Sequence, residues 1–100
     1  MRLTPEQIEG LRAYFATKPV VHAYLFGSFA RGEADEQSDV DILVDLDRSV
    51  PFGLGFFGMI GDLQELLGRQ VDVVTREALS PHVEKYVKRD LLPIYARQAR

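Results

Sequence analysis

The pair Asp39 and Asp41, set at the mouth of the apolar run Ile42 to Val44, constrains this chain more than any other feature. Side chains alternate across a strand, so two acids spaced i, i+2 point to one face while Val40 and Ile42 point to the other. Two carboxylates then converge on one point. They repel each other unless a cation lies between them, and hard oxygen ligands that leave room for water and phosphate suit Mg2+. Upstream, the apolar run Val20 to Phe26 breaks at Gly27 and Ser28. A permissive backbone at that break can aim N–H groups outward at the start of a short helix, which is how proteins hold phosphate. A phosphate cradle facing a carboxylate pair points to metal-assisted transfer of a nucleotidyl group.

Other residues extend or border this constellation. Asp72 is one acid among Val71, Val73 and Val74 in a short strand, where an unpaired carboxylate is expensive to bury. It reads either as a third ligand beside the Asp39 strand or as an edge-strand acid facing water. Ser28 either bonds a phosphate or caps the short helix. Arg31 either reaches a triphosphate or pairs with nearby acids, since a guanidinium suits both roles. Asp45 shares the parity of Asp41 but lies about 13 Å further along an extended strand, so one metal site does not include it. Asp45 and Asp47 read as solvated strand-end charges. His22 has no spaced His or Cys companion and reads as a hydrogen-bonded core or rim residue.

The 100 residues predict one domain, residues 1–100, with a modest core. With no cysteine there is no disulfide or thiolate metal site, which fits a cytoplasmic protein. The longest uncharged stretch, Ser49 to Gly61, spans 13 residues and is interrupted by glycine, so no membrane segment is expected. The net charge of −3 is uneven: Glu33 to Asp47 carries seven acids and no base, leaving the remainder at +4. That concentration of acid repels nucleic-acid phosphate, and no basic cluster elsewhere resembles a groove-tracking patch, so direct nucleic-acid binding is not expected.

Local signals predict alternating helices and strands. Thr4, Pro5 and Gln7 read as a capping box with proline at the first helical position, and Leu3 faces Ile8 as a staple. Ile8, Leu11, Arg12 and Phe15 form the helix stripe, and Pro19 stops it near Thr17. Val20 to Phe26 has the composition of a central strand covered on both faces. Glu33 to Ser38 is polar loop, with Ser38 orienting the strand entrance. A second long helix is expected from near Phe56 to Leu67, with Leu63, Leu66 and Leu67 facing the core and Gly68 as its stop. Phe52, Phe56, Phe57 and Met59 read either as a partner-docking surface or as close helix-to-sheet packing. Ser80 and Pro81 restart a helix with Val83, Tyr86, Val87 and Leu91 as its apolar face, and Leu92 to Ala96 adds a last strand. The sum is a small α/β fold with a mixed β-sheet and its site at the strand ends.

The segments Gly27-Ser28-Phe29-Ala30-Arg31-Gly32 and Ser38-Asp39-Val40-Asp41-Ile42-Leu43-Val44 resemble the signature of minimal nucleotidyltransferases of the DNA polymerase beta superfamily. The resemblance extends to Val71-Asp72-Val73-Val74, where that family places its third carboxylate, and runs from about Val20 to Ala96. The sequence is most similar to the small antitoxins that pair with HEPN ribonuclease toxins. The resemblance implies a palm-like fold, Asp39, Asp41 and Asp72 as catalytic Mg2+ ligands, and Gly27, Ser28 and Arg31 along an ATP triphosphate. It also implies transfer of AMP to a tyrosine hydroxyl of a cognate toxin, supplied by a second chain because this one has no room for an acceptor domain. A non-catalytic antitoxin acting by occlusion, and transfer to a small molecule by a homo- or hetero-oligomer, stand as alternatives.

Overall fold

The computed structural model describes residues 1–51 and 55–98, without the side chains of Phe57 and Tyr86. Helix α1 (Pro5–Ala16) begins as its cap predicts: the Gln7 N–H donates to Thr4 Oγ1 at 3.1 Å, and the Thr4 N–H donates to Gln7 Oε1 at 2.9 Å. Strand β1 (Val20–Phe26) follows, then the single turn α2 (Ser28–Arg31), strand β2 (Val40–Leu46), helix α3 (Gly55–Leu67), strand β3 (Val71–Thr75), a 3-10 turn at Arg76–Ala78, helix α4 (Pro81–Asp90) and strand β4 (Leu92–Ala96). The sheet order is β3-β2-β1-β4. β1 runs antiparallel to both β2 and β4, while β2 and β3 are parallel across the α3 crossover, so the sheet is mixed.

One face of this sheet is the core. Leu11 and Phe15 of α1 and Met59, Leu63 and Leu67 of α3 pack on Ala23, Leu25, Val40, Ile42, Val44, Val71, Val73 and Ile94. A register shift between Val20 and His22 lets Val20 and Ala23 both be buried despite their odd spacing. The opposite face of β1 is only half-covered: His22, Tyr24 and Phe26 are intermediate in exposure. The expectation of cover on both faces is therefore corrected, because α1 and α3 lie on the same side and α4 is left to shelter the other, burying Val87.

Two helix faces also differ from expectation. Leu66 is 38% exposed rather than in the core, since Leu63 and Leu67 occupy the sheet-facing positions and Leu66 flanks them beside Gly10 of α1. Val83 is 48% exposed, and α4 seals the sheet through Val87, one turn further on. Met59 is fully buried and Phe56 packs partly against the core, which favours helix-to-sheet packing over docking for those two residues. Phe52 lies outside the described residues, as does the side chain of Phe57. At the outer edge, Arg12 Nε donates to the Ile94 carbonyl at 2.9 Å.

Truncating Leu63, which is 0% exposed at the centre of this layer, should cost about 2–5 kcal/mol in urea denaturation. Leu66→Ala should cost about 1 kcal/mol or less. Equal losses at both positions would contradict the observed facing of α3.

Candidate active site

The carboxylates are brought together by strand register. Asp41 pairs with Asp72 in the parallel β2–β3 ladder, and on the other side it lies opposite Phe26 of β1, the residue before Gly27. Register partners share a face, so Asp41 and Asp72 both project from the side opposite the α1–α3 core. Asp39 precedes β2 by one residue and is exposed at its mouth. Asp41 is half-buried, and its carboxyl is pushed up to about 6, first by loss of water and then by the charges of Asp72 and Asp39, with Arg31 opposing. Among the described residues no three His, Cys, Asp or Glu side chains form a ready-made metal cage. Asp39, Asp41 and Asp72 are neighbours through register and field rather than through a closed contact.

Gly27 completes the geometry. Its φ of 72° and ψ of −153° fall in a region that only glycine occupies readily. A Cβ there would stand 2.4 Å from Asp41 Oδ2. The turn from β1 into α2 can thus lie directly against the carboxylate only because residue 27 has no side chain. Gly27, not Ser28, is the N-cap of α2, which removes the capping role for Ser28 and leaves it as the first helical residue.

Arg31 is held by acids: Nη1 lies 2.6 Å from Asp90 Oδ2 and Nε 3.1 Å from Glu33 Oε2. Asp90, 59 residues away, was not singled out by sequence, and no local signal marks it. Asp45 and Asp47 are not the solvated charges expected. Arg76 Nε lies 2.8 Å from Asp45 Oδ1, and His22 Nδ1 lies 3.6 Å from Oδ2. Asp47 accepts from Ser49 Oγ at 2.6 Å and Arg97 Nη1 at 2.7 Å, and these partners, Ser49 first, hold its carboxyl well below the usual range. Their arginines come from just beyond β3 and β4, where sequence proximity gives no hint of them.

Grooves of about 700 Å3 border β4 near Arg12 and Tyr95, and the far end of β2 near Val50 and Phe56. Both lie away from the carboxylates, so size alone does not mark the site. The chemistry beside Gly27 is three carboxylates, one of them raised by burial and then by the charge of its neighbours, against a backbone turn that a side chain would obstruct. That set fits a divalent cation and suits a phosphate-bearing ligand.

The family model described as a nucleotidyltransferase domain matches residues 6–93. The chain belongs to this family. The protein adenylyltransferase MntA of Thermococcus cleftensis is 39% identical over 98 residues, covering 90% of this chain and 95% of that protein. A candidate protein adenylyltransferase of Methanocaldococcus jannaschii is 40% identical over 70 residues, covering 68% of this chain and 70% of its own. Among solved structures, a candidate minimal nucleotidyltransferase superposes with a TM-score of 0.75 at 34% identity, over 88% of this chain and 89% of that one. A chain from the complex of a tri-AMPylated Shewanella oneidensis HEPN toxin with its MNT antitoxin has the same fold at 18% identity (TM-score 0.67, 93% and 72% covered). The nucleotidyltransferase is thus an enzyme fold of the expected class, a mixed α/β palm-like layer. Among the described residues, no helix is long and apolar enough to cross a membrane.

Two outcomes follow from the geometry. Gly27→Ala should destabilise the fold by about 1–3 kcal/mol, because it combines glycine-only backbone angles with the approach of Asp41; thermal and urea melts measure this. Asp41 has a folded pKa of about 6, above the ordinary 3.8, so the folded state binds the extra proton and stability is lost as pH rises between those two values. Asp41→Asn should abolish that slope in chelator-treated protein and exceed the wild type above pH ~6 by about 1 kcal/mol, a figure discounted for the group's partial exposure. Parallel stability–pH curves for the two proteins would contradict the assigned field.

Proposed function

We propose that this nucleotidyltransferase is an antitoxin that transfers AMP from ATP to a tyrosine hydroxyl of a cognate HEPN-type ribonuclease toxin in the cytoplasm. The observation that carries the reading is the pairing of Asp41 with Asp72 on one sheet face, with the Gly27 backbone laid against the Asp41 carboxylate. Asp39, Asp41 and Asp72 would hold Mg2+, which supplies neutralisation of the charge that develops on the departing pyrophosphate. Gly27 and Ser28 hold the triphosphate through the backbone approach that the missing side chain permits. Arg31, anchored by Glu33 and Asp90 at the end of α2, adds positive charge beside the carboxylates and is the counterweight already acting on Asp41.

The acceptor oxygen bonds to the α-phosphorus as the bond to pyrophosphate breaks, and the hydroxyl proton passes to Asp72, which is exposed on β3. The main role of the chain is to position and to balance charge, as in phosphoryl transfer generally. A separate acceptor chain is supported by the relatives: the MntA protein that this chain matches over nearly its full length is named a protein adenylyltransferase. The tri-AMPylated HEPN toxin is found in complex with its antitoxin.

Incubated with labelled ATP, Mg2+ and the helical partner, the wild type should add AMP units to one tyrosine, read by mass spectrometry. Asp39→Asn, Asp41→Asn and Asp72→Asn should each lower transfer by about 100-fold or more while still binding the partner. Asp45→Asn should change transfer little. If Asp41→Asn neutralises the toxin as well as the wild type and no adduct forms on either chain, occlusion is the mechanism. Transfer to a small molecule in the absence of the partner would favour the third reading.

A further inference from the structure

We propose that Arg69 is a positioning residue for nucleotidyl transfer, its one guanidinium bracing the mouth at Asp39 against the helix that follows Gly27 and Ser28. The proposal rests on the reading of Asp39, Asp41 and Asp72 as metal ligands given above. Arg69 is delivered by the stop of α3: Gly68 takes a left-handed φ of 68° and its N–H donates to the Gln64 carbonyl at 2.8 Å, turning the chain toward β3. From there Arg69 Nη1 donates to two backbone carbonyls, Asp35 and Ser38, at 3.1 Å each. Its Cζ lies 4.9 Å from the centroid of the Phe29 ring, and Nη2 lies 3.4 Å from Met1 Sδ.

Two of these contacts, Phe29 and Ser38, adjoin residues of the proposed site. Phe29 is the buried residue of α2 and follows Ser28. Ser38 precedes Asp39 and closes a turn in which its N–H donates to the Asp35 carbonyl at 3.1 Å and its Oγ accepts from the Asp35 N–H at 2.9 Å. Immediately after Asp39, the Val40 N–H donates to the Gln70 carbonyl at 3.0 Å, one residue beyond Arg69, and the parallel ladder toward Asp41 and Asp72 begins. One planar cation therefore ties together the phosphate-side helix, the turn that aims Asp39 and the entry to the strand bearing Asp72. A guanidinium can donate in its plane while stacking its face on an aromatic ring, and charge-assisted bonds to carbonyls are stronger than neutral ones. A lysine ammonium could donate to both carbonyls, but it has no planar face to lay on the Phe29 ring and no second nitrogen to reach Met1. Removing the brace frees the Asp35–Ser38 turn, and misplacement of a reacting group by about 1 Å costs about 100-fold in rate.

The test compares R69A and R69K with the wild type, each with the toxin-class acceptor protein. Three readouts are used: Mn2+ affinity by calorimetry, amide exchange at Val40, and kcat and KM for AMP transfer. R69A should exchange the Val40 amide faster, bind Mn2+ about tenfold more weakly and lose about 100-fold in kcat, with KM for the acceptor unchanged. R69K should recover stability but not the Mn2+ affinity, and it carries the test if R69A does not fold. Wild-type Mn2+ affinity and kcat in R69A, or complete recovery of both in R69K, would overturn the proposal while the wild type remains active. A wild type that neither binds Mn2+ nor transfers AMP refutes the ligand reading, and the role of Arg69 falls with it.

Discussion

The parallel pairing of β2 with β3 places two like charges, Asp41 and Asp72, side by side on a surface from which water is partly excluded. Everything nearby is arranged so that this register can be held. A slip of β3 by one residue would turn Asp72 toward Met59 and Leu63 and expose Val73 in its place, so the apolar layer pins the ladder. The turn at Gly27 comes within reach of Asp41 because it carries no Cβ, and Arg31 offsets part of the repulsion from the end of α2. The fold thus stabilises, by burial on one face, an arrangement on the other face that is unfavourable by itself.

That division suits a catalyst of nucleotidyl transfer. On the proposed reading, repulsion among Asp39, Asp41 and Asp72 is a cost in the free protein that would become affinity once a divalent cation were shared. The family membership shown by the match over residues 6–93 gives this reasoning its chemical setting. The near-complete overlap with a protein adenylyltransferase supports the view that a core this small acts on another protein.

What could be read from the sequence was local. The Thr4–Gln7 cap, the proline starts of α1 and α4 and the break at Gly27 each depend on residues within a few positions of one another, and the structure places them as expected. The readings that failed depended on which elements meet. Leu66 and Val83 have helical spacing fit for a core, yet a narrow helix-to-sheet contact takes only the central positions. Asp45 and Asp47 found their cations on Arg76 and Arg97, and Arg31 found Asp90, through pairings that only the sheet order creates. Arg69 gave no signal at all, because its partners Ser38, Asp35, Phe29 and Met1 lie 31 to 68 positions away along the chain.

The contact of Arg12 with the Ile94 carbonyl bears on assembly. β4 is the outermost strand beyond β1, and the free rim of such a strand ordinarily invites another backbone to continue the sheet. Here a guanidinium occupies one of the acceptors, and Pro93 has no N–H to offer. The outer rim of β4 therefore offers fewer free backbone groups for another strand to pair with.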